Sequence, residues 1–270
     1  CALPILFAYY GHDLHSERFR QEALLTGQLE LRILAWEYMR LEQKVCAAAD
    51  YSYYPSAEEV YVMSKALPQA VIKELPPYSF DLAALPPPKP PASADLLFVG
   101  NFRHMPNLDA ANWLLDELWP SIFRHLNNDA RLIIAGAQPP KLLTLKASNC
   151  LGNVLVTGWV SEQELNRLYQ TCRVVVIPLR FGAGIKHKLV SAIIQGCPVV
   201  TTEVGLQGLP ELGGVVGLAK DTLQFTLECS QLIYNDELWI SRAKSARLAL
   251  SARFSRESMW TALQNLHLNY

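Results

Sequence analysis

The chain has 270 residues, half of them apolar and 18% charged, with a formal net charge of −1. That length and composition suit one large domain or two smaller ones with ample core material. The near-neutral charge excludes the basic surplus of a broad nucleic-acid surface and the acidic surplus of a solvating tail, and no uninterrupted apolar run is long enough to span a bilayer. Cys1, Cys46, Cys150, Cys172, Cys197 and Cys229 form no C-x-x-C pair. They read as small core residues in a reducing compartment rather than as a zinc knuckle or redox motif.

Residues 3–10 have the pattern of a buried strand entered midway. With neither an initiator methionine nor a basic leader ahead of it, the natural protein is expected to extend further towards the N-terminus. The strand closes at Gly11-His-Asp-Leu-His15. Leu24, Leu31, Leu34, Ala35, Tyr38, Leu41, Val45 and Ala48 recur near a 3.6 spacing, which predicts one long helix over 16–49. Residues 50–55 are a short strand candidate. Ser56-Ala-Glu-Glu59 has the spacing of a capping box opening a helix to about Lys65, and residues 70–74 read as one more strand. Pro76, Pro77, Pro86, Pro87, Pro88, Pro90 and Pro91 crowd the stretch 75–94. Proline feeds neither a helix nor a central strand, so a stiff linker and a domain boundary are expected here.

Beyond the linker, strands and helices alternate. Strands are predicted at Leu96–Val99, Ala130–Ala135, Val154–Thr157, Val174–Pro178 and Val199–Thr202. Helices are predicted at about 108–125, 140–147, from the Ser161-Glu-Gln-Glu164 box to about Cys172, and at Lys186–Gln195, stopped by Gly196. Residues 220–252 read as helical, with a last helix over about 256–268. Strands apolar on both faces, each followed by a helix, imply a parallel sheet covered by helices, an α/β architecture.

Ligands of open parallel sheets bind beyond the carboxyl ends of the strands. Gly100, Gly136 and Gly158 stand at or next to three such ends. The loop Pro178-Leu-Arg-Phe-Gly-Ala-Gly-Ile-Lys-His-Lys188 is the most informative. Gly182 and Gly184 free backbone N–H groups to turn outward, the next helix starts near Lys186, and Arg180, Lys186 and Lys188 add fixed positive charge. A tight strand-to-helix turn with surface lysines is the plainer reading, but cations at a helix start oppose its dipole and ask for an anion. Val204-Gly-Leu-Gln-Gly-Leu209 carries two more glycines and reads either as ligand-facing or as a surface turn. His12-Asp13-x-His15 lacks the three or four converging ligands that zinc needs; a polar group facing a cleft is the better reading. No Asp-x-Asp pair is present to hold Mg²⁺ on a diphosphate. Among the aromatics able to stack on a base, Trp113 and Trp119 fit a helical core pattern, while Tyr169 and Trp159 stay open.

These stretches together resemble family 4 retaining glycosyltransferases of the GT-B fold. The resemblance is carried in order by Gly100-Asn-Phe-Arg-His-Met-Pro-Asn107-Leu-Asp109, Val156-Thr-Gly158-Trp-Val, Arg180-x-Gly-Ala-Gly-Ile-Lys186-x-Lys188, Gly196-x-Pro-Val-Val200 and Gly205-x-x-Gly208-Leu. It covers residues 95–270, while residues 1–75 resemble the last part of that family's N-terminal domain. Phe254-Ser-Arg-Glu resembles the start of its closing helix.

The resemblance implies residues 1–90 as the end of an acceptor-side domain with its linker, 91–252 as a nucleotide-sugar-binding domain, and 253–270 as a helix packing back on the first. It implies metal-independent, cofactor-free transfer, with retention of configuration, from a UDP- or GDP-linked sugar to a glycan or lipid-linked acceptor in bacterial-type surface polysaccharide assembly. Arg180 and Lys186 would steady the diphosphate, His12 would lie close to the transferring sugar, and the Gly182, Ala183, Gly184 and Ile185 backbone would face the donor, with Lys188 alongside. Gly158 and Trp159 would border the base, Gly205 and Gly208 the phosphates. Typical members carry two glutamates where this chain has Ala183 and Ser191. Gly100 begins the first donor-side loop, where Pro106 falls near the usual basic position and Arg103 or His104 stands in. A cytoplasmic setting follows; peripheral membrane contact at the inner face and membership of a larger multidomain chain stay open. A non-catalytic binding or assembly module, and an epimerase or phosphorylase of the same fold, are the alternatives.

Overall fold

The computed structural model describes residues 5–81, 85–126 and 130–264. Two parallel sheets organise them. The smaller runs β1 (Ala8–Tyr10), β2 (Tyr51–Tyr54), β3 (Ile72–Glu74). Only the last three positions of the strand expected at 3–10 join this ladder; residues 3 and 4 lie outside the described residues, as do 265–268 of the expected closing helix.

The single helix expected over 16–49 is two, α1 (His15–Thr26) and α2 (Leu29–Ala48). Gly27 ends the first at φ 74°, its N–H closing on the Ala23 carbonyl, a left-handed cap that glycine adopts without penalty. The apolar spacing runs through the break, so the pattern conceals it. Glu42, buried on α2, accepts from the hydroxyl and backbone N–H of Ser16 on α1. Leu14, Cys46, Tyr54 and Met63 form a small core between this hairpin, the sheet and α3 (Ala57–Ala66).

The larger sheet contains β4 (Leu96–Val99), β5 (Arg131–Ala135), β6 (Asn153–Gly158), β7 (Val174–Ile177), β8 (Val199–Thr201) and β9 (Gly217–Leu218). Their order is β6-β5-β4-β7-β8-β9, every pair parallel. The continuous apolar runs of β4 and β7 are explained by burial on both faces. The connecting helices are α4 (Met105–Trp113), α5 (Trp119–His125), α6 (Lys141–Ser148), α7 (Glu162–Thr171), α8 (His187–Ile194), the short α9 (Glu203–Leu206) and α10 (Thr222–Tyr234).

Two helical expectations are corrected. The helix placed at 108–125 begins earlier and contains one π-helical turn, Leu114–Leu118. Pro120 has no N–H to return to the preceding turn, and the widened turn carries the chain past the missing bond. The run at 220–252 is split by Asn235, whose side chain accepts from Leu238 N and so caps α11 (Asp236–Phe254). A final helix, α12, spans Arg256–Gln264.

The strand order reverses between β4 and β7, so the loops leaving their carboxyl ends run to opposite sides of the sheet, the place where open parallel sheets bind their ligands. The smaller sheet is fastened against that end. Phe80 N donates to Phe254 O at 2.7 Å. Arg253 donates to Pro55 O and Glu74 on one side and to Gly208 O and Glu211 on the other.

Candidate functional site

Three loops converge at the β4–β7 reversal: 100–104 after β4, 178–186 after β7 and 202–208 after β8. The turn after β1, Gly11–Leu14, faces them. Gly184 shows how close the approach is. Its φ is +69°, and a Cβ built on it would lie 2.8 Å from Asp13 Cβ and 3.2 Å from the His12 carbonyl oxygen. A side chain here would be strained by the backbone and blocked by the facing turn. Gly208 meets Ser56 in the same way: a Cβ placed on it would lie 3.2 Å from Ser56 Cβ. Gln21 on α1 completes the contact by accepting from Gly182 N at 3.1 Å.

Lys186 sits at the centre. It precedes α8 as its cap residue and is 9% exposed. Its ammonium donates to Gly184 O at 2.6 Å, Ala183 O at 3.0 Å and Gln207 Oε1 at 3.5 Å. Burial pushes its amine down to about 8, against the opposing pull of Glu59, Asp13 and Glu58. Lys188, in the first turn of the helix, donates to Asn107 Oδ1 and lies 4.8 Å above the Phe98 ring. Burial pushes it down to about 7, and the positive charge of Lys186 adds to the fall. Asn107 in turn donates to Asn101 O at 2.9 Å, fixing the loop after β4. Both amines are desolvated, the second lowered further by the charge of the first, and their hydrogen bonds go to neutral oxygens.

Arg180 occupies the outer side of the same loop. Its guanidinium is held by Asp109 on α4 through two hydrogen bonds, one of 2.8 Å. It also lies 5.6 Å over the Trp113 ring. The side chain is partly exposed, and the two hydrogen bonds to Asp109 raise its already high pKa. Arg180 is thus tied to α4, whereas Lys186 is bonded within its own loop and to Gln207.

Each remaining sequence-derived position has a clear place. His12 is exposed at the end of β1, edge-on to Tyr10 with ring centres 5.3 Å apart. Ala183 and Ile185 line the loop, half-buried. Gly100 pairs with β5 through Ala135 O, at the foot of the crevice. Gly205 is buried in α9, which Thr202 caps; Val204–Leu206 of the stretch 204–209 are thus helical, while Gln207 to Leu209 follow as a turn. Ser191 bonds to His187 Nδ1 at 3.3 Å, and His187 stands edge-on to Tyr78. Arg103 is exposed, its N–H bound to Asn101 Oδ1. Gly158 ends β6, two strands away from the reversal, and Trp159, which follows it, is 74% exposed. Tyr169, open as a stacking candidate, is 2% exposed in the core, where its hydroxyl bonds to Lys188 O at 3.4 Å. It supports the lysine helix and offers no face to a base.

The structure brings Gln21 and Gln207 to the site and gives Glu59, read from sequence as a capping-box residue, and Asn107 and Asp109, read as part of the first resembling stretch, partners there. Asn107 and Asp109 were visible in the Pro-Asn-Leu-Asp run but carried no signal of their partners, which lie 81 and 71 positions away.

The chain is similar to known proteins in family and in fold. Residues 93–235 match the family model described as glycosyl transferases group 1. A 123-residue stretch is 29% identical to an uncharacterized 44.6 kDa protein in the cps region of Klebsiella pneumoniae, covering 43% of this chain and 31% of that protein. Among solved structures, TarM is similar at 15% identity and TM-score 0.71, over 96% of this chain and 49% of TarM. HepE of Anabaena, in complex with UDP and glucose, is similar at 16% and 0.68, over 96% and 70%. WaaG, a glycosyltransferase involved in lipopolysaccharide biosynthesis, is similar at 15% and 0.67, over 99% and 76%. These likenesses show the fold, the Rossmann-like GT-B arrangement. The chain spans about a third of the curated relative and about half of TarM. Among the described residues, no helix is long and apolar enough to cross a membrane.

Proposed function

Since the chain belongs to the group 1 glycosyl transferases, we propose that it carries the donor half of a retaining, metal-independent glycosyltransferase. The donor is a UDP- or GDP-linked sugar, and the acceptor a glycan or lipid-linked glycan in surface polysaccharide assembly. The observation that carries this reading is Lys186: a buried ammonium at the strand-order reversal, bonded only to its own loop and Gln207, with Lys188 close behind.

Glycosyl transfer passes through an oxocarbenium-like state while a nucleoside diphosphate departs with growing negative charge. Donors already aimed at that charge supply much of the catalysis, because a dry site has nothing to reorganise. Lys186 would exchange its loop carbonyls for the diphosphate. The anion would restore the proton affinity that burial removes from both lysines. The loop amides from Gly182 to Ile185 would add neutral donors at the start of α8. His12, exposed at the end of β1, would border the sugar on the acceptor side. The polysaccharide setting draws support from the cps-region relative and from WaaG, and the nucleotide class from HepE with UDP.

Calorimetric titration with UDP, GDP and their sugars tests the donor site, and NMR of the product's anomeric proton tests retention. No binding of any nucleotide sugar by the protein removes the enzyme reading. One observation favours a second reading, a non-catalytic binding module. Ser191 stands where a ribose-binding acid is usual, and its hydroxyl is bonded to His187. Binding without turnover on any acceptor points to that module. Product formed without acceptor points to epimerisation, and dependence on free phosphate to phosphorolysis.

A further inference from the structure

Glu59 is the least explained charged group in the molecule. It lies in the first turn of α3 and is 6% exposed. Ser56 Oγ donates to its Oε2 at 2.8 Å, while Oε1 is buried with no hydrogen-bond partner. Helix capping does not account for this. In a capping box the glutamate reaches back to the backbone N–H of the cap residue. Here the serine hydroxyl turns to the carboxylate, and its own contact with Glu59 N is stretched to 3.4 Å. A glutamine or alanine would fill the position without burying a carboxyl, and burying one is costly unless a charge answers it.

The answering charge comes from the other sheet. The first turn of α3 abuts Gly208 through Ser56, and the turn after β1 abuts Gly184 through Asp13. Lys186 lies between these two contacts, and Glu59 is the strongest influence favouring its protonated form. The other ionisable groups facing the pair are Asp13, Glu58, Tyr10 and, behind Lys186, Lys188. We propose that Glu59 is a positioning residue: a buried carboxylate across the seam from Lys186, not paired with it directly, that keeps the ammonium charged while it exchanges its loop carbonyls for the donor's diphosphate. Protein kinases set a helix glutamate behind a phosphate-binding lysine by the same logic. The device works only when the two sheets are in contact, because the carboxylate belongs to one and the lysine to the other. The inference deepens the donor-site reading and rests on it for the identity of the anion, but not for the coupling of the two side chains.

Burial and Asp13 push the Glu59 carboxyl up to about 7, with Ser56, Lys186 and the Leu14 backbone N–H opposing. Both charges therefore coexist between about 7 and about 8, and the coupling is readable there. The test measures Lys186 itself. Trace acetylation with acetic anhydride across pH, read by peptide mass spectrometry, gives the midpoint of its reactivity in the chain, in Glu59→Gln and in Glu59→Asp. UDP and GDP titrations run in parallel. The midpoint is expected to fall by at least roughly half a pH unit in Glu59→Gln and to return in Glu59→Asp. UDP or GDP affinity is expected to drop about two- to threefold near about pH 8.5 for a fall of that size, and to change little near about pH 6.5, where the amine is protonated regardless. An unmoved Lys186 midpoint in Glu59→Gln overturns the proposal. A moved midpoint with neither nucleotide bound by the parent chain upholds the coupling and removes the donor reading. If Glu59→Gln does not fold, Ser56→Ala serves in its place. Loss of the hydroxyl raises the Glu59 carboxyl further and must lower the Lys186 midpoint in the same direction.

Discussion

The two sides of the loop after β7 handle positive charge in opposite ways. On the outer side, Arg180 is exposed, paired with Asp109 and stacked on Trp113. On the inner side, Lys186 is buried, bonded to neutral oxygens, and faced by a carboxylate from the other sheet. An exposed pair has its charge already answered and its desolvation small, so it contributes little and gives up little when lost. A buried, under-answered ammonium is costly without a ligand and correspondingly responsive to one. Two cations six positions apart, equal in the motif, are thus unequal in physics.

The sharpest way to break this comparison is to remove each cation in turn. Lys186→Ala is expected to lower turnover or nucleotide affinity about 10²–10³-fold, with melting temperature little changed near neutrality, because the relief of one buried charge is offset by the Glu59 carboxylate left facing its place. Arg180→Ala is expected to cost about tenfold, a unit of roughly 1.4 kcal/mol, because Asp109 already holds two of its hydrogen bonds. Calorimetry and a donor-consumption assay on the two variants decide the matter. Equal losses would mean that Arg180 leaves Asp109 and turns inward when the donor binds. Asp109→Asn separates these cases, since freeing the guanidinium then strengthens donor binding.

A smaller effect sharpens the inner side. Gly184 and Gly158 both have positive φ, +69° and +72°, but a Cβ at Gly184 meets Asp13 at 2.8 Å while one at Gly158 meets nothing within 4 Å. Each alanine is expected to cost about 1–2 kcal/mol from backbone strain. Gly184→Ala adds the separation of the two facing turns, and with it a loss of nucleotide affinity that Gly158→Ala does not show. Chemical denaturation and titration of both variants read the difference. Equal behaviour would mean that the facing turn moves aside freely.

The contrast also explains what was legible in the sequence. The strands β4 to β8 fall within a residue or two of their predicted places, because buried parallel strands are continuous apolar runs with glycines or polar residues at their ends. The breaks at Gly27 and Asn235 were hidden, because apolar spacing continues on both sides while the decision rests on one backbone dihedral or one cap. The cations of the site were legible because two glycines, a helix start and three basic residues lie within nine positions. Their inequality was not. Arg180 meets Asp109 71 positions away, and Glu59 sits in a Ser-x-x-Glu spacing that serves capping equally well. Partner choice across a fold is a property of packing, and the local pattern is silent about it.

The smallest expected effect concerns stability without ligand. Lys186 and Lys188 are pushed down to about 8 and about 7 from an ordinary value of 10.5. Above those folded values and below 10.5 the unfolded chain holds more protons, so stability rises with pH, by at most about 1.4 kcal/mol per unit for each lysine. Glu59 has the opposite sign. Its folded value of about 7 exceeds the ordinary 4.5, so stability falls as pH climbs through that interval, and the raised Glu42 adds to the fall. The free protein is therefore expected to melt lowest near neutrality and to recover towards pH about 5 and pH about 9. Beyond that, Cys172 and Cys229, raised by burial, reverse the basic limb. Melting curves over this interval check the shape. Lys186→Met should flatten the basic limb and Glu59→Gln the acidic one, whereas Arg180→Ala should leave the profile as it is. A profile that responds to Arg180 and not to Lys186 would reverse the assignment of the loop's inner and outer sides. Saturating UDP should raise the neutral minimum more than the flanks, since the anion answers the charges that burial leaves exposed to each other.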